Sequence, residues 1–473
     1  MRSTVGEIAQ AMEGRLLQGD TVAAVSGVAT DSRAVTGGEV FFALRGQSTD
    51  GHRYVVDALR RGAAAAVVSR PVEVPPELEA RGLVMVGDVL HALQALSAWH
   101  RRRFHPLVVA VTGSVGKTTT KEMVAHCLQA RFRTLRTAGN YNNEIGVPLT
   151  LLALDPVHQA VVVEMGMRAR GEIAALAALA APHCAVLTNV APVHLETLGS
   201  LEAIAAAKCE VLGALPEDGF AVVNGDCPHL EKAVATARVR LLRFGYASHC
   251  DYRLLSTACS RHGLEVQALA KGRRMSFHLS LPVPELAYNA MAAIAVAMEA
   301  GVPQDELPER LASFVPAQRR LNLVSAPGGL TIIDDCYNAS PLSMRAGLHA
   351  LVNLAPPGRS IAVLGDMYEL GAFAAEGHRQ VGRTAAELEV DLLVAVGERS
   401  VHLAAAAREA GLGEAQVAHF TDKEEALGWL RDHLQPGDTV LVKASRGMGL
   451  ETIVSGLLAG LPTPAGAARQ EEG

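Results

Sequence analysis

Apolar and polar positions divide the chain into three regimes. In the first hundred residues, Ser3-Thr4 precedes the spaced apolar set Val5, Ile8, Ala9 and Met12, which predicts a capped amphipathic helix. Short apolar runs at 40–44 and 65–68, separated by glycine-containing turns, predict strands. Residues 91–103 predict a helix that ends in a basic triplet before Pro106, with the triplet facing the negative end of the helix dipole. From Leu107 the pattern changes. Runs at 107–112, 160–163, 185–190 and 221–223 lack polar alternation and are separated by helix-length stretches. That combination predicts a parallel sheet buried on both faces. A second such series, at 330–333, 361–364, 392–396 and 439–442, predicts a smaller doubly wound unit. The expected organisation is therefore α/β in three domains, over 1–103, 104–315 and 316–460, followed by a frayed Pro/Gly/Ala-rich tail, 461–473.

Composition narrows the class. With 473 residues, 49% hydrophobic and 19% charged, the chain can bury several cores, which excludes a disordered or disulfide-stapled protein. Forty-three Lys and Arg against 49 Asp and Glu leave a net charge of −6, so no nucleic-acid partner is expected. The seven cysteines never form CxxC, which suits a reducing compartment and argues against zinc. No stretch approaches the ~18 apolar residues that span a bilayer, and no signal segment is visible at Met1–Gly14. A soluble cytoplasmic, multi-domain protein is the expectation.

The strongest chemical signal is the strand that runs into Gly113-Ser114-Val115-Gly116-Lys117-Thr118-Thr119. Glycines let backbone N–H groups turn onto phosphate oxygens, and the following helix N-terminus adds positive potential. Lys117 would reach the β- and γ-phosphates and the Thr118 hydroxyl would hold Mg²⁺, which makes ATP or GTP the expected ligand. The generic pattern has a further glycine where this chain has Val111. Glu164 closes the next strand, at the edge where open α/β sheets bind ligands, and reads either as a metal ligand or as a helix cap. His194 follows a later strand as a second candidate. Lys208, alone in an alanine-rich helix, reads on its own as a snorkelling surface lysine. Asn289 reads as an adenine reader or an N-cap. In the third segment, Asp334 to Pro341, the cluster from Gly365 to Glu369, and Lys443-Ala-Ser445-Arg446 each follow a strand. The last of them places cations where an anionic substrate could dock.

These residues together resemble the Mur ligase family of cell-wall amide-bond-forming enzymes, in order along nearly the whole chain. Asp31-Ser32-Arg33 with the glycines beyond it, and Asp50-Gly51-His52-Arg53, are similar to the family's UDP-sugar-binding segment. The family's ATP loop also lacks the distal glycine. Thr137, Asn140, Asn142 and Asn143 resemble its central substrate segment. Pro316, Arg320, Leu321, the cluster from Asp334 to Pro341 with Tyr337 and Asn338, and the run from Leu364 to Gly371 with Asp366 are closest to one member. That member joins D-alanyl-D-alanine to UDP-N-acetylmuramoyl-tripeptide. Ser340 and Arg319 depart from its usual pattern, and the Asp-Asn-Pro-Arg motif of diaminopimelate-adding sisters is absent.

The resemblance implies ATP and Mg²⁺ as cofactors, three domains and an acyl-phosphate route. It makes Lys117 the phosphate-binding lysine, Thr118 and Glu164 magnesium ligands, His194 a second-metal residue and Lys208 a carbamylated lysine that bridges metals. Asn289, Arg320 and Asp335 would hold adenine, phosphates and ribose; Ser32, Arg33, Thr137, Asn140, Asn142, Asn143, Tyr337, Asn338, Asp366, Lys443, Ser445 and Arg446 would face substrates. Another Mur-type ligase, amino-acid-adding or folylpolyglutamate synthase-like, or a phosphate-loop ATPase switch is the alternative.

Overall fold

A computed structural model describes residues 2–46, 49–193, 195–316 and 319–460. The helix expected after Thr4 forms at Val5–Ala11. Thr4 caps it by accepting the Glu7 N–H while the Glu7 carboxylate accepts the Thr4 N–H, a reciprocal pair that satisfies two otherwise orphaned donors. A five-stranded sheet covers the first segment, with its four later strands from Gly27–Ala29 to Gly82–Met85 mutually parallel. The helix Val89–Arg101 packs on it.

The second sheet has nine strands, with Leu107–Thr112 between Ala160–Glu164 and Cys184–Leu187, all parallel. These strands are buried along their whole length, which explains their unbroken apolar runs. At the far edge the expectation of a purely parallel sheet fails. Gly263–Ala270 pairs antiparallel with Tyr252–Ser260, and Arg273–Leu279 pairs antiparallel with Gly263–Ala270. Their alternation of Leu264, Val266 and Ala268 with Glu265 and Gln267 is the period of a sheet with one wet face.

The third sheet orders its six strands with Thr439–Lys443 between Leu330–Asp334 and Ser360–Gly365, all parallel, and adds one antiparallel edge strand, Asn322–Ala326. Every parallel strand ends toward the ligand edge that doubly wound sheets use, so the loops after residues 112, 164, 334, 365 and 443 gather chemistry there. The tail 461–473 lies outside the described residues.

The basic triplet has a role that helix-end electrostatics alone did not suggest. Arg101 is buried and donates to Ala180 O at 3.0 Å, the C-terminal carbonyl of the helix Glu172–Ala180, and to Ala181 O at 3.4 Å. The guanidinium thus ties the first segment to the second through another helix's negative end.

Candidate active site

The strand Leu107–Thr112 feeds the loop 113–116, and the helix Lys117–Leu128 begins at once. Gly113 (φ +152°) and Gly116 (φ +83°) adopt backbone that other residues rarely take. A side chain at Gly113 would stand 1.8 Å from Thr188 Oγ1. We expect Gly113→Ala to distort the loop and weaken nucleotide binding by about 2 kcal/mol, read by ADP titration. Thr188 Oγ1 donates to Val115 O and Asn189 Oδ1 accepts the Val115 N–H, so a neighbouring strand end fixes the loop. The half-buried Lys117 donates to Gly113 O and Ser114 O, its ammonium folded over the cradle. Burial, with Arg320 beside it and Glu164 opposing, draws the Lys117 pKa down.

Around this loop lies a cleft of about 530 Å³ that collects residues from all three segments. Gln94 comes from the first; Lys117, Thr118, Asn140, Asn142, Asn143, Glu164 and Lys208 from the second; Arg320, Tyr337, Asn338 and Glu369 from the third. Glu164 is buried; its Oε1 accepts from Asn142 Nδ2 at 2.7 Å, and its N–H donates to Thr137 Oγ1. Its Oε2 is buried with no hydrogen-bond partner among the described residues. A buried carboxylate oxygen without a donor is costly unless something else meets it.

Lys208, on the helix Leu201–Cys209, is 2% exposed and lines the same cleft, contrary to the surface reading its local sequence suggests. Burial first, then the Lys117 charge, holds its pKa well below the ordinary lysine value. Arg320 reaches across from the third segment: it donates to Thr118 Oγ1 at 3.2 Å and stacks over the Tyr337 ring at 4.1 Å. Arg446 approaches the same ring at 5.6 Å.

Several expected residues stand behind this surface. Lys443 is buried and donates to Asp335 Oδ2 at 2.6 Å and Asn338 O at 2.9 Å, while Asp335 Oδ1 accepts the Leu321 N–H. This ion pair braces the Tyr337–Asn338 turn and the segment that carries Arg320. Asp366 turns inward to accept the Ser400 N–H, and Ser445 Oγ accepts the Tyr368 N–H. Both lock the loop that bears Glu369. Ser32 is buried and Arg33 pairs with Asp31 at an exposed turn; neither lines the cleft. Thr119 belongs to the first turn of the phosphate-loop helix. His194 lies outside the described residues.

A second cleft of about 360 Å³ shares Val115 and Gly116 with the first and is lined by Asn224, His229, Tyr288, Asn289 and Arg345. Asn289 Nδ2 donates to Thr120 Oγ1 at 2.7 Å and to Gly116 O at 3.4 Å, which holds its helix on the phosphate-loop helix. Tyr288 donates to Asp226, whose carboxylate also accepts the Tyr246 and Ala247 N–H groups. Sequence reasoning missed Gln94, Arg345 and the buried Lys121; only its spacing of four from Lys117 could have flagged Lys121.

The donor set fits magnesium. Mg²⁺ takes hard oxygen ligands, one or two carboxylates with phosphate oxygens and waters, and Glu164 Oε2, which accepts no hydrogen bond and has the Lys121 ammonium at 3.7 Å, supplies that minimum with the Thr118 hydroxyl. No group of three or more His, Cys, Asp or Glu placed to hold a metal occurs among the described residues.

Comparison with known proteins places the chain. Three models cover it in turn: Mur ligase family, catalytic domain, residues 24–103; Mur ligase middle domain, 111–297; and Mur ligase, glutamate ligase domain, 319–446. UDP-N-acetylmuramoyl-tripeptide–D-alanyl-D-alanine ligase of Bacillus subtilis is 37% identical, over 97% of this chain and 99% of that protein. A crystal structure of MurF from Acinetobacter baumannii aligns with TM-score 0.87 and 30% identity, over 97% and 99% of the two chains. The MurF ligase of Thermotoga maritima in complex with ADP aligns with TM-score 0.80 and 29% identity, over 92% and 98%. By sequence along three consecutive domains, this chain belongs to the Mur ligase family.

Proposed function

We propose that the protein is an ATP-dependent ligase that joins D-alanyl-D-alanine to UDP-N-acetylmuramoyl-tripeptide in the synthesis of peptidoglycan precursors. One observation carries the reading: Lys117, Glu164, Lys208 and Arg320 meet in one cleft walled by three domains, so a nucleotide, a carboxylate and an amine can be enclosed together. The near-full-length similarity to tripeptide–D-alanyl-D-alanine ligases supports the substrate pair. The domain limits we propose are those read from the sequence, 1–103, 104–315 and 316–460.

Amide formation from a free carboxylate is uphill in water, and ATP supplies the drive. The tripeptide carboxylate attacks the γ-phosphorus, ADP leaves, and an acyl phosphate forms; the dipeptide amine then attacks the carbonyl and phosphate departs. Magnesium, held by Thr118, Glu164 and the nucleotide, would neutralise phosphate charge. Lys117 swings from the loop carbonyls onto the transferring phosphoryl oxygens, a charge-assisted contact strongest in the transition state. Arg320, held against Tyr337, brings a second cation from the facing domain. Asn140, Asn142 and Asn143 line the side on which the tripeptide would lie, and Tyr337, Asn338 and Glu369 the side from which the dipeptide would enter. The second cleft would take the nucleoside, with Asn289 at the junction.

The enclosed geometry matters because water would hydrolyse an acyl phosphate. The Gly371 N–H donates to Glu196 Oε1 at 3.1 Å, and Arg345 faces Glu285 at 3.8 Å, so the facing domains touch on both sides of the site. Phosphate release from ATP is therefore expected to depend on both the tripeptide and the dipeptide. Rapid release with neither present would instead indicate an ATPase switch. No helix is long and apolar enough to cross a membrane among the described residues. We propose a cytoplasmic monomer working on soluble precursors.

A further inference from the structure

Only seven of the chain's 43 Lys and Arg residues are lysine, and three of those seven, Lys121, Lys208 and Lys443, are buried. Where arginine is the general surface cation, a retained buried lysine marks a place that needs a compact ammonium with three donors. Lys121 is the most enclosed of them, with 0% exposure, one helical turn beyond Lys117. Its Nζ donates to Thr137 O at 2.8 Å and Gly139 O at 3.0 Å. Glu122 Oε1 forms an ion pair with it at 3.0 Å, and Glu122 Oε2 in turn holds Arg136 Nε at 2.5 Å. Glu164 Oε2 stands farther off, at 3.7 Å, as the orphaned acceptor of the cleft.

We propose that Lys121 is a positioning residue for the metal-binding carboxylate: by hydrogen-bonding two loop carbonyls and pairing its charge with Glu122, it holds Glu164 in place without consuming Glu164 Oε2. The inference rests on the assignment of Glu164 to magnesium. Two of the ammonium's three protons go to the loop carbonyls, and Glu122 Oε1, at 3.0 Å, stands closer to it than Glu164 Oε2, at 3.7 Å. The carbonyls it binds belong to the segment whose Thr137 Oγ1 accepts the Glu164 N–H and whose Asn142 amide donates to Glu164 Oε1. Lys121 therefore fixes the phosphate-loop helix, the 137–142 segment and the carboxylate as one unit, and Glu122 keeps the ammonium from closing onto Glu164. Removing the Glu122 charge leaves Glu164 as the one carboxylate within reach of Lys121, so the two should draw together and the metal should lose its ligand.

The test measures Mn²⁺ binding by electron paramagnetic resonance in the presence of ADP, with metal-free ADP titrations and thermal unfolding alongside. Glu122→Gln is expected to weaken Mn²⁺ about tenfold, with metal-free ADP affinity within twofold and the unfolding temperature nearly unchanged. Lys121→Met is expected to weaken Mn²⁺ at least as much and to lower the unfolding temperature, since it leaves two carbonyls without their donor and takes the buried cation from between Glu122 and Glu164. Wild-type Mn²⁺ affinity, or a tighter one, in Glu122→Gln overturns the proposal even if Lys121→Met does not fold. Glu164→Gln serves as the control. If it binds Mn²⁺ with ADP as wild type does, the metal assignment is wrong and the positioning role falls with it, a result recognisably different from failure of Glu122→Gln alone.

Discussion

Lys117→Ala should lower the ligation rate by roughly 10²–10³-fold at saturating ATP, the size of effect seen when one preorganised donor to a developing charge is lost. The residue's geometry supports a transition-state role over uniform binding. Its ammonium rests on Gly113 O and Ser114 O, so it is stored at the cradle and gains its phosphate contact only by leaving them. ADP affinity should change far less than the rate, because loop N–H groups and the second cleft supply most of that binding. Near-normal turnover by Lys117→Ala would remove Lys117 from the chemistry.

We propose that Lys208 is carbamylated and would offer two anionic oxygens to a divalent cation, so Lys208→Ala should fold normally yet ligate at least about 100-fold more slowly. Carbamylation needs a neutral amine. Burial, reinforced by the Lys117 charge, lowers the Lys208 pKa, and a lower pKa means a larger neutral fraction at any given pH. Lys208 is 2% exposed, and a group held that far from water is costly to keep as a cation. Loss of stability on Lys208→Ala is expected to stay near the ~1 kcal/mol typical of a point substitution, because the change removes a buried cation along with its packed stem. A small carboxylic acid added to the variant should restore part of the rate, and wild-type activity should fall in CO₂-depleted buffer and return with bicarbonate. Full activity of Lys208→Ala would leave Glu164 to hold metal without it.

Much of this site was legible in the sequence because backbone physics put it there. An unbroken apolar strand that runs into Gly113 and Gly116 can hardly avoid building a phosphate cradle, and the sheet edge explains why Glu164, Tyr337 and Asn338 converge. Side-chain direction was less legible. Asp366 and Lys443 stand at the correct edge but point inward, the first to Ser400 and the second to Asp335, because each braces a loop that others use. Lys208 looked like a surface residue because an alanine-rich helix gives no amphipathic stripe from which to read its buried face. The antiparallel strands 263–270 and 273–279 carried the right alternation, but the parallel runs before them set the expectation.

The central claim is a substrate pair, and product mass tests it most directly. The protein is incubated with ATP, Mg²⁺ and UDP-N-acetylmuramoyl-tripeptide, with D-alanyl-D-alanine, L-lysine or meso-diaminopimelate as amine, and with the corresponding dipeptide precursor in parallel. One new species is expected: tripeptide plus D-alanyl-D-alanine less one water, formed with one ADP and one phosphate. A product from the dipeptide precursor and a free diamino acid, with none from D-alanyl-D-alanine, would contradict the assignment while leaving the chain within its family.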